Sequence, residues 1–272
     1  MKPVIAVIGA GKIGGALATA LTKCGYTIVA TGRREGTLEN MKRLGVKAIR
    51  DNRRAVSEAD MVLLSVKPVN VPQVLPEIGG ELEGKALVSV VAGLRIKTLT
   101  EATKAAEVYR AMPNINVIIR RSTTALSGPR DGSFSRDVEE VFKCVGTVYW
   151  VPEEWLDPWT ALVGSAPAYL SILIDALILG GVAVGLPRDV STNAVLDTIE
   201  ATVGLLRQRP VHPAEVRDEV TTPGGTTIEA LKVIEERSVK AALIKTVEAA
   251  TEKARLLGAE IDRQIRQRLG LS

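Results

Sequence analysis

Val4-Ile5-Ala6-Val7-Ile8-Gly9-Ala10-Gly11-Lys12-Ile13-Gly14 decides the fold of this chain. The run at residues 4–8 is apolar and mostly β-branched, which predicts a buried strand. Glycines then mark a turn, and Ile13, Leu17, Leu21 and Cys24 recur at helical spacing behind it. A second β-branched run at residues 27–31 completes one strand–helix–strand unit. In that setting Gly9 allows the tight turn, Gly11 lets backbone approach a pyrophosphate, and Gly14 lets the helix pack closely on the strand. The helix N-terminus adds free amides and the positive end of a dipole. The turn formed by Gly9, Ala10, Gly11, Lys12, Ile13 and Gly14 is therefore expected to bind a dinucleotide.

Outward from this unit, apolar runs at 61–66, 86–91, 107–110 and 145–150 alternate with amphipathic stretches. That alternation predicts a doubly wound α/β sheet, parallel and covered on both faces. Beyond Pro152 the strand signal stops. Val239, Leu243, Val247, Ala250, Ala254 and Leu257 then recur at helical spacing, so the second part is expected to be all helix. A length of 272 residues accommodates two units, placed at 1–160 and 161–272. The helices of the second are more apolar than a small isolated bundle needs, which points to a homodimer at least.

Hydrophobic residues at 46% and charged residues at 24% exclude a disordered or collagen-like chain. A net charge of +4 gives no support to nucleic-acid binding. The two cysteines, Cys24 and Cys144, lack metal-ligand or framework spacing, so neither a disulfide scaffold nor a metal site is expected and a reducing, cytoplasmic setting fits. The N-terminus lacks the long apolar region of a secretory signal. Residues 160–187 are long enough to span a bilayer, but Asp175 near the middle would cost about 2.5–3.5 kcal/mol there. Pro167, Gly180, Gly181 and Gly185 interrupt the stretch further. It is expected to be buried in the chain or between subunits, not in a membrane.

The second strand ends at Thr31-Gly32-Arg33-Arg34, where an NAD-binding unit usually carries an acid for the ribose 2′-hydroxyl. Arg33 and Arg34 read either as solvated loop charges or as a clamp for a 2′-phosphate, and the fingerprint upstream favours the clamp. NADPH is thus expected over NADH. Glu35, one residue late, still lies within reach of a ribose, so NADH is not excluded. Two further strand ends, Ser65-Val66-Lys67-Pro68 and Ala92-Gly93, should face the cofactor, because ligands of open sheets sit at the carboxyl ends of strands.

In the helical part, Thr221-Thr222-Pro223-Gly224-Gly225-Thr226-Thr227 precedes a helix expected to start near Ile228. The loop reads equally as a cradle of amides for a small carboxylate or as a capping loop with threonine as N-cap. Met112-Pro113-Asn114 is a second candidate loop on the rim of the sheet. His212 is the one histidine, and no metal cluster, cysteine dyad or serine triad can be assembled. The reaction must then need little acid–base help from the protein. Hydride transfer from a nicotinamide to a carbon–nitrogen double bond qualifies, with a hydroxyl such as that of Thr227 to orient the nitrogen.

Over nearly its whole length the chain resembles the pyrroline-5-carboxylate reductases. The matching pieces are GAGKIGG at Gly9, SVKP at Ser65, VAG at Val91, RAMPN at Arg110, GSAPAY at Gly164, GVAVGLPR at Gly181 and HPAEVRDEVTTPGGTT at His212. The resemblance implies a Rossmann-like domain followed by an all-α dimerisation domain, with dimers assembled into rings, decamers among them. It implies reduction of 1-pyrroline-5-carboxylate to L-proline, in a site built from the cofactor domain of one subunit and the helical domain of its partner. Cofactor contacts carry over to residues 9–14, Asn52, Ser65 to Pro68, Ala92 and Gly93. Substrate contacts carry over to Gly224, Gly225, Thr226 and Thr227, with Thr227 at the ring nitrogen and Pro113 and Asn114 on the rim. Ile115, Asn116 and Ala166 depart from the family pattern. A 3-hydroxyacid-type dehydrogenase would share this plan, but it uses a lysine in the first long helix of its second domain, and residues 162–186 contain none. A non-catalytic NADP(H)-binding regulator is the remaining alternative.

Overall fold

The computed structural model of the protein describes Lys2 to Leu271. Its strands are β1 (Ile5–Ile8), β2 (Ile28–Thr31), β3 (Lys47–Ile49), β4 (Met61–Leu64), β5 (Ala86–Ser89), β6 (Glu107–Met112), β7 (Ser122–Ser127) and β8 (Gly146–Trp150). They form a single sheet in the order β3-β2-β1-β4-β5-β6-β7-β8. All neighbouring pairs are parallel except β6 with β7. The order reverses between β1 and β4, the switch point where such sheets bind ligands.

Helices α1 (Lys12–Lys23) and α2 (Glu35–Arg43) follow β1 and β2. Helices α3 (Asn52–Ser57), α4 (Val71–Ile78) and α5 (Ile96–Ala102) follow β3, β4 and β5, and α6 (Ser135–Lys143) joins β7 to β8. Strand residues alternate between two buried layers. Ile5, Val7 and Val88 meet Leu17 and Leu21 of α1, Met41 of α2 and Phe142 of α6. Ala6, Ile8, Val62 and Leu64 meet Val56, Leu75 and Leu99 on the other face. Burial on both faces is why these strands read as continuous apolar runs.

Two strands carried no such signal. β3 has three residues at the edge, and β7 is polar, yet it buries Ser122 and Thr124 completely. The cost of burying those hydroxyls is offset by hydrogen bonding: Ser122 Oγ and Thr124 Oγ1 lie 3.1 Å apart, and Asn114 N donates to Ser122 Oγ at 3.2 Å. The expected all-parallel sheet is corrected here too. Residues 113–121 are too few for a helical crossover, so β7 returns antiparallel and β8 runs alongside it. The reversal passes through Arg120, a left-handed residue at φ 55°.

Cys24 and Cys144, expected to be unpaired, form a disulfide with a Cα–Cα distance of 6.3 Å. Each follows the last residue of a helix, α1 and α6 respectively, on the same face of the sheet. Spacing of 120 residues in sequence says nothing about two helix ends meeting in space.

After β8 come α7 (Leu156–Trp159) and a wide π turn, Thr160–Gly164, then α8 (Ala166–Ala183), α9 (Arg188–Gln208), α10 (Pro213–Glu219), α11 (Thr226–Glu236) and α12 (Val239–Leu269). Two compact units result, one holding the residues up to Ser165 and those from Ala249 onward, the other Ala166–Glu248. The end of α12 therefore belongs with the sheet, where Ile265 is buried among Leu87, Val91 and Leu99, and not with the helices before it. In the helical unit, α8 and α9 form a hairpin through Gly185 at φ 93°. They cross closely, since a Cβ on Gly181 would lie 2.6 Å from Ser191 Oγ.

The stretch Glu153–Ala183 is long and apolar enough to cross a membrane by length and composition, and little of it is buried. Ile178 is the buried residue of α8, while Leu170, Ile172, Leu177 and Leu179 are exposed. Burial of this helix within its own chain is thus corrected.

Candidate active site

Three features of the first glycine turn follow from contacts with β2 and β4. Gly9 stands at φ 100°, a conformation that a side chain resists. Its amide donates to Thr31 Oγ1 at 3.2 Å and the next amide, of Ala10, donates to Thr31 O at 2.6 Å. Thr31 is itself 1% exposed, so it holds the turn from beneath. At Gly14 a Cβ would sit 2.1 Å from Gly9 O and 2.8 Å from Ser65 Oγ, whereas one on Gly11 would meet nothing within 4 Å. The helix packs as tightly as glycine permits, and the turn keeps an open face beside it. No side chain caps α1, whose N-cap is Gly11, so its first amides are left for a ligand.

Ser65 to Pro68 follow β4, and Ala92 and Gly93 lie just beyond β5, so these segments and the glycine turn occupy the carboxyl ends of adjacent strands. Asn52 opens α3 at the end of β3 and donates from Nδ2 to Glu77 Oε2 at 3.0 Å. Arg33 and Arg34 are exposed beyond β2, and neither is in an ion pair among the described residues. Glu35, the late acid, is bound by Arg50.

The structure adds residues that the motifs did not indicate. Gly93, at φ 78°, is braced by α12, where a Cβ would come within 2.7 Å of Gly258 Cα. Asp262 of α12 accepts from Arg95 N at 2.9 Å and from Thr98 Oγ1 at 3.0 Å, and Arg95 pairs with Asp157 at 2.9 Å. Arg110 of β6 is 1% exposed, with Nη1 3.1 Å from Glu153 Oε1 and, among the described residues, no hydrogen-bond partner for Nη2. Burial pulls its pKa down, and Glu153 opposes that shift. Glu153 Oε1 also accepts from Ile96 N at 2.8 Å. This lattice ties the strand before Met112-Pro113-Asn114 to α5 and to the segment after β8. Asn114, 5% exposed, shapes the rim loop: Nδ2 donates to Val163 O at 3.3 Å and Oδ1 accepts from Asn116 N at 3.3 Å.

In the helical unit, His212 is an N-cap. Its Nδ1 accepts from Ala214 N at 3.1 Å and Glu215 Oε1 accepts from His212 N at 3.1 Å, a reciprocal capping box at the start of α10. The threonine–glycine loop then turns through Gly224 at φ 68° into α11. This helix starts at Thr226, two residues before the expected position, and its N-cap is Gly225, with no side-chain cap. Threonine capping is thereby set aside. With no hydroxyl taking them, the first amides of α11 can serve a carboxylate.

Residues 153–257 match the family model described as pyrroline-5-carboxylate reductase dimerisation, and residues 4–93 match that described as NADP oxidoreductase, coenzyme F420-dependent. The chain is 36% identical to the pyrroline-5-carboxylate reductase of Thermus thermophilus, across 93% of this chain and 98% of that one. It superposes on the Plasmodium falciparum pyrroline carboxylate reductase with NADP bound at a TM-score of 0.84 and 27% identity, covering 94% and 98% of the two chains. The Coxiella burnetii pyrroline-5-carboxylate reductase gives 0.84 at 29% identity, covering 94% and 99%. With its glycine turn, its uncapped α11 and this likeness along nearly the whole length, the chain belongs to the pyrroline-5-carboxylate reductase family.

Proposed function

We propose that the chain reduces 1-pyrroline-5-carboxylate to L-proline on its α11 loop, with the amides of Gly224, Gly225 and Thr226 holding the substrate carboxylate. The observation that carries this reading is the glycine-capped start of α11, which has no side-chain cap on its first amides and has Thr227 in its first turn. Thr227 orients the ring nitrogen, which enters already protonated, so no stronger acid is required of the protein. Pro113 and Asn114 set the shape of the rim. Bound NADPH supplies the hydride that reduces the imine carbon. The open face at Gly11 suits its pyrophosphate, with the turn from Gly9 to Gly14 around it. Asn52, Ser65, Val66, Lys67, Pro68, Ala92 and Gly93 flank the rest of the cofactor, and Thr31 supports the turn.

Arg33 and Arg34 grip the 2′-phosphate. Following loss of nicotinamide absorbance with the pyrroline and each reduced cofactor should show lower KM for NADPH than for NADH. Arg33→Ala with Arg34→Ala should raise KM for NADPH roughly 10–100-fold, the worth of one or two charge-assisted hydrogen bonds, while leaving that for NADH nearly unchanged. An equal change for both cofactors refutes the clamp, and no turnover by the wild-type protein refutes the reaction.

The exposed apolar residues of α8 and α9, including Ile172, Leu177, Leu196 and Val203, are covered by a second copy in a homodimer, the unit from which rings of dimers are built. Sedimentation velocity should give twice the mass of one chain or a multiple of that, and a monomer at micromolar concentration overturns this. The location is cytoplasmic, where reduced nicotinamides are supplied. The Cys24–Cys144 disulfide runs against the absence of a bond from which a reducing setting was expected, since disulfides are rare in the cytosol, with the intracellular proteins of hyperthermophiles as an exception.

A further inference from the structure

Beside Arg33 and Arg34, Arg50 donates from Nη2 to Glu35 Oε2 at 2.5 Å. Thr31 and Ile49 are partners in the sheet, and Gly32 N donates to Ile49 O at 3.3 Å, so residues following β2 and β3 share one edge. The side chains are 63% and 56% exposed, and such a pair contributes little to folding. Its effect is local. A carboxylate at the end of the second strand is the acceptor for an unphosphorylated ribose, and it repels a 2′-phosphate. Arg50 engages one oxygen of that carboxylate and offsets its charge, which holds the Glu35 carboxyl below its ordinary range. The other acid on this edge, Asp51, is engaged as the cap of α3, accepting from Arg54 N at 2.9 Å.

We infer that Arg50 is a positioning residue for cofactor discrimination: by holding Glu35 it makes an edge that contains a ribose acceptor selective for a 2′-phosphate. This rests on the reading of Arg33 and Arg34 as phosphate-binding groups. In steady-state assays with both cofactors, Arg50→Ala should raise KM for NADPH roughly 3–10-fold and lower KM for NADH, the size of a partly screened charge pair, with kcat retained. Adding Glu35→Gln should return KM for NADPH toward the wild-type value, because no charge then remains to repel the phosphate. A purely structural role for Arg50 would shift kcat and both KM values together and would not be rescued by Glu35→Gln. An unchanged NADPH-to-NADH ratio in Arg50→Ala, or failure of the rescue, overturns the inference. The Arg33 and Arg34 double variant, assayed in parallel, separates the two failures. If it discriminates between cofactors while Arg50→Ala does not, the Arg50 inference falls alone, and if it affects both alike, the clamp reading falls and this inference with it.

Discussion

Reduction of the Cys24–Cys144 disulfide is expected to lower the melting temperature by about 10 °C, the largest stability effect of any single change considered for this chain. The bond closes a loop across a sequence separation of 120 residues. In the chain-entropy account a loop of that size restricts the unfolded ensemble by up to about 4–5 kcal/mol. The native geometry adds a mechanical reason. Cys24 follows the C-terminus of α1 and Cys144 that of α6, so the bond ties the helix of the glycine turn to the β7–β8 extension of the sheet. Thermal unfolding with and without a phosphine reductant, with thiols counted after denaturation, measures this, and Cys144→Ser should reproduce it without reductant. Turnover at 25 °C should persist, since neither cysteine is among the residues proposed to contact cofactor or substrate. Equal melting temperatures for oxidised protein and fully reduced protein would show the bond to be energetically idle.

For catalysis the largest effect should come from Thr227→Ala, with kcat/KM for the pyrroline falling about 100-fold while NADPH binding is kept. The hydroxyl sits in the first turn of α11, behind a glycine cap that leaves the helix amides available to the substrate carboxylate. In the proposed reaction, removing it would leave the imine nitrogen without an oriented partner when charge at that nitrogen changes, and a factor of 100 corresponds to about 2.7 kcal/mol. Thr227→Ser keeps the oxygen and should recover most of the rate. Cofactor affinity, read by nicotinamide fluorescence, should match wild type in both variants. Wild-type turnover in Thr227→Ala would remove the residue from the mechanism.

Much of the candidate site was legible because its parts are local. Gly9, Gly11 and Gly14 lie within one turn, and their requirements, a positive φ, an open face and close packing, follow from residues adjacent in sequence. The loop before α11 was legible for the same reason, although which residue capped the helix was not. Threonine and glycine both cap well, and backbone geometry at Gly224 and Gly225 decided between them. Arg110 stands in the stretch RAMPN, whose local pattern assigns it no role. Its ion pair is with Glu153, 43 residues along the chain in the segment after β8, and Glu153 in turn accepts from Ile96 N at the start of α5.

The amino-acid order alone determined the strand–turn–helix start, the succession of an α/β part and a helical part, and the family, because apolar periodicity and glycine placement act over a few residues. Tertiary structure alone decided the direction of β7, the joining of Cys24 to Cys144, the return of α12 to the sheet and the engagement of Glu35 by Arg50. Each of these depends on distances between residues on different elements. Such distances are set by how buried layers and helix ends pack, and no local pattern encodes them.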